Sequence, residues 1–216
     1  MASADEQRAV LSVLNSCPVA PCIVELGAYC GEDTEWMFQA VRDKSPIIVT
    51  VEADPDNYRR IADRHIPGRH LYGAISDRNG NCDFWACYTP EGRGSGSVRM
   101  PTRHLEKNPW YDFRPIPGGI PCFTLDYLFN AYALPRIDLL WVDIQGAENQ
   151  MITGGQKALR HARYLFIEAE EKALYDGQAE RPELLSLLPE WSVIREFDFN
   201  LFMKNDAYDQ RTSANA

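Results

Sequence analysis

Short apolar runs alternate along this chain with segments whose apolar residues recur at helical spacing. Ala9, Val10, Val13 and Leu14 fall on one face of a helix predicted over residues 4–15. Residues 20–26 form a β-branched apolar run that breaks at Gly27, the pattern of a strand buried on both faces. Trp36, Met37, Ala40 and Val41 then predict a helix over residues 34–42, and residues 47–51 predict a second buried strand. Asp54-Pro55 opens a helix reaching about residue 65, because Asp caps helices and Pro is preorganised at the first helical position. Residues 70–75 predict a third strand.

The rhythm resumes with a helix over 124–133, a strand at 137–142, and a helix from about 147 closed by Gly154-Gly155. A strand at 163–167 and a short helix over 181–188 follow. Residues 191–197 and 200–204 predict two final strands paired antiparallel. Alternation of this kind predicts an α/β fold, a mostly parallel sheet with helices on both faces. The expected organisation is an N-terminal helix in residues 1–19, a single domain over 20–204 and a frayed polar tail over 205–216. Residues 89–122 hold five Gly and six Pro, which predicts a long irregular loop serving as a lid or substrate wall.

Composition narrows the function. With 22 Lys+Arg against 31 Asp+Glu in 216 residues, the net charge of −9 disfavours a nucleic-acid partner, which needs basic residues on phosphates. The 45% hydrophobic and 25% charged content is that of a globular chain able to bury its own core. Its six Cys show no C-x-x-C spacing, which points to reduced thiols and a cytoplasmic protein rather than a disulfide scaffold or a zinc site. The polar start and the lack of a long apolar run predict neither a signal peptide nor a membrane span.

In an open α/β sheet, ligands bind beyond the carboxyl ends of the strands. Those ends carry acids here: Glu25, Glu52, Asp77, Asp143 and Glu168. Gly27 and Gly31 permit a tight turn between the first strand and its helix, and Glu52, 21 residues after Gly31, is placed to take ribose hydroxyls. A pyrophosphate at that turn would meet Glu25, Glu32 and Asp33, and the G-x-G-x-x-G spacing is missing. The same acids suit S-adenosyl-L-methionine, which carries a sulfonium and an ammonium.

Four segments strengthen this reading. They are Val24-Glu-Leu-Gly-Ala-Tyr-Cys-Gly-Glu-Asp-Thr34, Thr50-Val-Glu-Ala-Asp-Pro55, Gly73-Ala-Ile-Ser-Asp77 and Ile137-Asp-Leu-Leu-Trp-Val-Asp-Ile-Gln-Gly-Ala-Glu148. With Tyr164-Leu-Phe-Ile-Glu168 they resemble the FkbM-type family of S-adenosyl-L-methionine-dependent methyltransferases over about residues 20–204. The resemblance implies the class I methyltransferase (Rossmann-like) fold, a seven-stranded sheet with an antiparallel last strand. It also implies O-methylation of sugars or small secondary metabolites. By the same resemblance Glu25, Gly27, Ala28 and Gly31 line the methionine end of the cofactor. Glu52 holds the ribose beside Ala53, while Ala74, Ile75 and Ser76 flank adenine. Asp143 lies near the methyl group or the ammonium. Gln145 departs from the family pattern, where an acid is common.

An alcohol acceptor must lose its proton, and the candidate bases are Asp143, Glu168 and His104. Asp143 and Glu168 end neighbouring strands, so they share a raised pKa or jointly bind a divalent metal ion. His104 lies in the central loop, as a base or as a surface imidazole. Arg93, Arg99, Arg103, Lys107 and Arg114 suit an anionic acceptor there, and Trp110, Tyr111 and Phe113 suit a sugar face or a loop anchor. Two other readings remain at this stage, an NAD(P)-dependent oxidoreductase and a non-enzymatic ligand-binding protein on the same fold.

Overall fold

A computed structural model describes residues 2–17 and 19–208. The chain begins with α1 (Ala4–Leu14), whose Ser3 and Glu6 form a reciprocal capping box. It continues through β1 (Cys22–Leu26), α2 (Glu32–Val41), β2 (Ile47–Glu52), α3 (Pro55–Asp63) and β3 (Arg69–Tyr72). A smaller set of elements follows: β4 (Ala74–Ile75), β5 (Gly80–Cys82), β6 (Trp85–Cys87), α4 (Thr102–Lys107), β7 (Phe113–Pro115) and β8 (Ile120–Phe123). The second half comprises α5 (Leu125–Ala131), β9 (Ile137–Val142), α6 (Glu148–Gly154), α7 (Gln156–Arg160) and β10 (Ala162–Glu168). It closes with α8 (Arg181–Ser186), β11 (Trp191–Glu196) and β12 (Asn200–Asn205).

Seven strands form the main sheet in the order β11-β12-β10-β9-β1-β2-β3. β1, β2, β3, β9 and β10 run parallel, while β12, the last in the chain, is antiparallel to both β10 and β11. Alternation along the strands builds a core on each face. Val24, Leu26, Val49, Leu140 and Leu165 pack beneath α5, α6, α7 and α8. Ile23, Ile48, Leu139, Trp141 and Phe166 pack beneath α1 and α2. Both faces are covered, which is why these strands are continuously apolar.

Three expectations need correction. Residues 70–75 are not one strand, because the chain leaves the main sheet at Gly73 (φ 149°). A Cβ at Gly73 would sit 2.8 Å from the Pro121 carbonyl oxygen and 2.7 Å from the Phe123 ring. The chain there passes under β8, with which β4 then pairs. The span 89–122 is not irregular throughout either. It contains α4, β7 and β8, and its prolines occupy turns and short paired strands around a third core of Ala74, Phe84, Ala86, Ile120 and Cys122. Finally, the chain is not frayed from Asn205, whose buried amide donates to the carbonyls of Leu159 (3.1 Å) and Ala162 (2.9 Å). Residues 209–216 of the expected tail lie outside the described residues.

The turn after β1 is closely constrained. Gly27 has φ 83°, and a Cβ there would lie 1.7 Å from the main-chain oxygen of Asp143. Gly27→Ala is therefore expected to cost about 3 kcal/mol or more through strain and overpacking. Gly94→Ala, where the nearest atom to a new Cβ is 3.8 Å away, is expected to be near neutral. Urea unfolding of the two variants checks this, and equal stabilities would contradict it.

Candidate active site

A cleft of about 280 Å³ opens at the carboxyl ends of β1, β2 and β9. It lies between β1 and β9, where the strand order changes direction. Its floor is the turn Gly27–Ala28–Tyr29 with the Trp141 ring. Glu52, Ala53, Asp54 and Asn57 form one wall, while Ala74, Ile75 and Phe84 form an apolar slot. Asp143, Ile144 and Gln145 close the opposite end.

Each wall follows from local chain chemistry. Glu52 ends β2 and accepts one backbone N–H on each oxygen, from Tyr29 and from Asp54, both at 2.7 Å. Each oxygen keeps a lone pair for a ligand hydroxyl. Burial pushes Glu52 up to about 8, with the two N–H donors pulling the other way. Asp54 caps α3 through the backbone N–H groups of Asp56 and Asn57. Asn57 is itself buried, donates to the Arg93 carbonyl at 3.0 Å, and leaves its Oδ1 without a partner in the cleft wall.

Asp143 follows β9, and its carboxylate accepts from Gln145 Nε2 at 2.7 Å. The same nitrogen lies 3.2 and 3.1 Å from the two oxygens of Glu168, at the end of β10. The structure thus brings the two predicted bases together through one amide. Desolvation by the surrounding protein raises Asp143, with the Gln145 bond opposing it, and holds Glu168 well above the usual carboxylate range, with Asp143 adding to the rise. Glu148 accepts from the N–H groups of Ile144 (3.3 Å) and Gly146 (3.2 Å), so it shapes the turn that presents Asp143; burial lifts it to about 7.

Other predicted site residues lie further out. Glu25 is buried on the α2 side of β1, takes the Thr34 hydroxyl as a donor, and is pushed well above the usual range by burial. Gly31 caps α2, and Ser76 is buried beyond the slot; neither lines the cleft. Asp33 does line it, while accepting from Ala2 N (2.9 Å) and Trp36 Nε1 (2.7 Å). His104 is neither on the surface nor in the cleft. It is buried among the rings of Tyr111, Phe113 and Tyr175, with centroids 5.3, 5.3 and 5.5 Å away, and burial lowers its pKa.

Part of the central loop does form a roof. Glu91, Arg93, Gly94, Gly96 and Val98 line the cleft. Asn57 holds one end of this strap, and an Arg93–Asp56 ion pair (3.6 Å) supports it. At the other end Ser97 Oγ donates to the Gln145 carbonyl at 2.6 Å, and the Tyr175 hydroxyl lies 2.9 Å from the Ser95 carbonyl oxygen. Asn57, Phe84 and Tyr175 carry no site expectation from the sequence. Asn57 had a signal, since it sits three residues after a helix cap at a predicted ribose site. Tyr175 had none, because residues 169–180 carry no periodic pattern.

Glu25, Glu52, Asp143, Glu148 and Glu168 are all drawn into this region, and among the described residues no Lys or Arg forms an ion pair with any of them. Glu32, Asp33, Glu52, Asp54, Glu91 and Asp143 line the cleft against Arg93, so it presents hydrogen-bond acceptors and net negative charge. S-Adenosyl-L-methionine offers hydroxyl and amino donors with a sulfonium and an ammonium, so the residues present fit it. No group of three or more His, Cys, Asp or Glu side chains among the described residues is arranged to hold a metal ion.

The sheet order, the single antiparallel strand and this cleft define a class I methyltransferase fold. Residues 25–201 match the methyltransferase FkbM domain, and the chain belongs to that family. The 2-O-methyltransferase NoeI of Sinorhizobium fredii is 33% identical over 187 residues, covering 82% of this chain and 74% of the relative. Among solved structures, a methyltransferase FkbM from Methylobacillus flagellatus aligns at 13% identity and a TM-score of 0.49. That alignment covers 87% of this chain but only 44% of the other. A fibrillarin from Aeropyrum pernix with bound S-adenosyl-L-methionine aligns at 15% identity and a TM-score of 0.44, over 91% of this chain and 73% of the other.

The raised carboxyls have a measurable consequence. Glu52 and Glu148 titrate near 8 and 7 in the fold, against an ordinary value of 4.5. Between these values the folded protein binds more protons than the unfolded chain, so stability of the ligand-free protein should fall as pH rises from about 5 to about 8. Scanning calorimetry should show the melting temperature dropping over that window, with a shallower slope in Glu52→Gln. A melting temperature that climbs to pH 8 would contradict the assignment.

Proposed function

We propose that this protein is an S-adenosyl-L-methionine-dependent O-methyltransferase acting on a hydroxyl of a sugar or small metabolite. The observation that carries the reading is the acid pair of Asp143, which lines one end of the cleft, and Glu168, joined to it through Gln145, facing a wall whose Glu52 is ready for a ribose. The NoeI relative, a 2-O-methyltransferase, supports the hydroxyl acceptor. Six free, buried thiols support a reducing, cytoplasmic setting. Among the described residues, no helix is long and apolar enough to cross a membrane.

When bound, the cofactor supplies a methyl group made electrophilic by its sulfonium. Glu52 would take the ribose hydroxyls, and Asn57 Oδ1 would accept a further ligand N–H or O–H. Ala53, Ala74, Ile75 and Phe84 would enclose the base, and Asp143 would face the cationic end. An acceptor hydroxyl entering beside Asp143 would lose its proton to the Asp143–Glu168 pair as its oxygen takes the methyl group and the sulfur–methyl bond breaks, the electron pair staying on sulfur. Desolvation raises both carboxyls, which makes the pair a stronger base than an ordinary exposed carboxylate. The strap over residues 91–98 excludes water and fixes the approach, and positioning supplies most of the rate. The acids around Gly27 would repel the pyrophosphate of a dinucleotide.

Turnover of methyl-labelled cofactor against a panel of hydroxylated acceptors tests the reading. Asp143→Asn should retain its fold and lower kcat by about 100-fold or more, the usual worth of a general base. An Asp143→Asn variant with undiminished turnover would remove the acid pair from the reaction.

A further inference from the structure

Gln145 makes more contacts than its turn requires. Its backbone is left-handed (φ 51°), a conformation that disfavours a long side chain. Its Nε2 is approached by Asp143 Oδ1 at 2.7 Å and by the two Glu168 oxygens at 3.2 and 3.1 Å. Three carboxylate oxygens from two strands therefore converge on a single atom. On the far side its Oε1 lies 2.8 Å from the Tyr175 hydroxyl, which also reaches the Ser95 carbonyl of the strap. Its main-chain carbonyl accepts from Ser97.

A point where carboxylate oxygens converge is where a divalent cation would settle, because cations need lone pairs from several hard oxygens. An amide nitrogen offers two N–H donors and no lone pair. It can satisfy both carboxylates without adding charge. We propose that Gln145 is a positioning residue that takes the place of a cation, its amide clamping Asp143 and Glu168 together while Tyr175 holds the amide oxygen and Ser97 ties the Gln145 main chain to the strap. The proposal rests on the methyl-transfer reading above, since the clamped pair is the base of that reaction.

The opposite amide orientation would set Oε1 against the carboxylates, which only a proton or a cation between them tolerates. Tyr175 would then donate to Ser95 and accept from Nε2. Manganese binding therefore tests whether a cation or the amide links the two carboxylates. It also separates this proposal from the reaction itself.

The experiment uses the full chain, with manganese titrations followed by electron paramagnetic resonance and with steady-state kinetics. Wild type should bind manganese no tighter than the millimolar range. Gln145→Glu, which completes three carboxylates, should gain at least about tenfold in affinity. Gln145→Asn suits the left-handed backbone and only withdraws the amide, so it should fold normally. Losing the clamp should lower its kcat by about 10- to 100-fold, while KM for the cofactor stays within about threefold. A role confined to stability would move the melting temperature and leave that split unchanged. Tyr175→Phe should lower kcat in the same direction by a smaller factor.

Micromolar manganese binding by wild type that Gln145→Asn abolishes would overturn the proposal. So would a Gln145→Glu protein that gains no manganese site, or a Gln145→Asn enzyme with wild-type kcat. Should wild type methylate no acceptor at all, the methyl-transfer reading falls, and the manganese comparison still decides the role of Gln145.

Discussion

Carboxylates gathered at the strand ends, with no Lys or Arg ion pair among the described residues, are the constraint on which the rest of this structure depends. Taking an ionised carboxylate out of water is expensive, and a protein ordinarily offsets it with Lys or Arg. Here the compensation comes from neutral donors: backbone N–H groups on Glu52 and Glu148, the Thr34 hydroxyl on Glu25, and one glutamine amide on Asp143 and Glu168. Neutral donors hold the groups in place without adding positive charge. Two consequences follow. The groups keep their protons more readily than exposed acids do, and the cleft favours a ligand that brings positive charge and hydrogen-bond donors.

The fold is what makes this arrangement stable. Continuous apolar strands covered on both faces supply the burial that the acids oppose, and parallel strands deliver their carboxyl ends to one edge. The turn at Gly27 and the turn ending at Gly146 are packed directly against their neighbours, so Asp143 and the floor of the cleft cannot drift apart. The strap then joins the two walls, held by Asn57 on one side and by Gln145 with Tyr175 on the other. Roofing the cleft and aligning the acid pair thus share one residue, Gln145.

Much of this was legible in the chain because the main sheet writes itself in local pattern. The apolar runs at 47–51 and 137–142 became strands nearly as written, and the acids just beyond them mark the cleft. What local pattern could not show depended on distant partners. Gly73 breaks a strand only because β8 passes over it, and the Gly- and Pro-rich span forms paired strands only around its own small core. His104 reads as a loop imidazole, yet the rings of Tyr111 and Phe113 from one segment and Tyr175 from a distant one enclose it. Gln145 stood out merely as a departure from a pattern, since its meaning lies in contacts 23 and 30 residues away in sequence.

Side-by-side calorimetric titration of the full chain with S-adenosyl-L-methionine and with NAD tests the electrostatic account most directly. A negatively charged, acceptor-rich cleft predicts saturable binding of the sulfonium compound in the micromolar range and no measurable heat from the dinucleotide. Tight binding of NAD with none of S-adenosyl-L-methionine would contradict it.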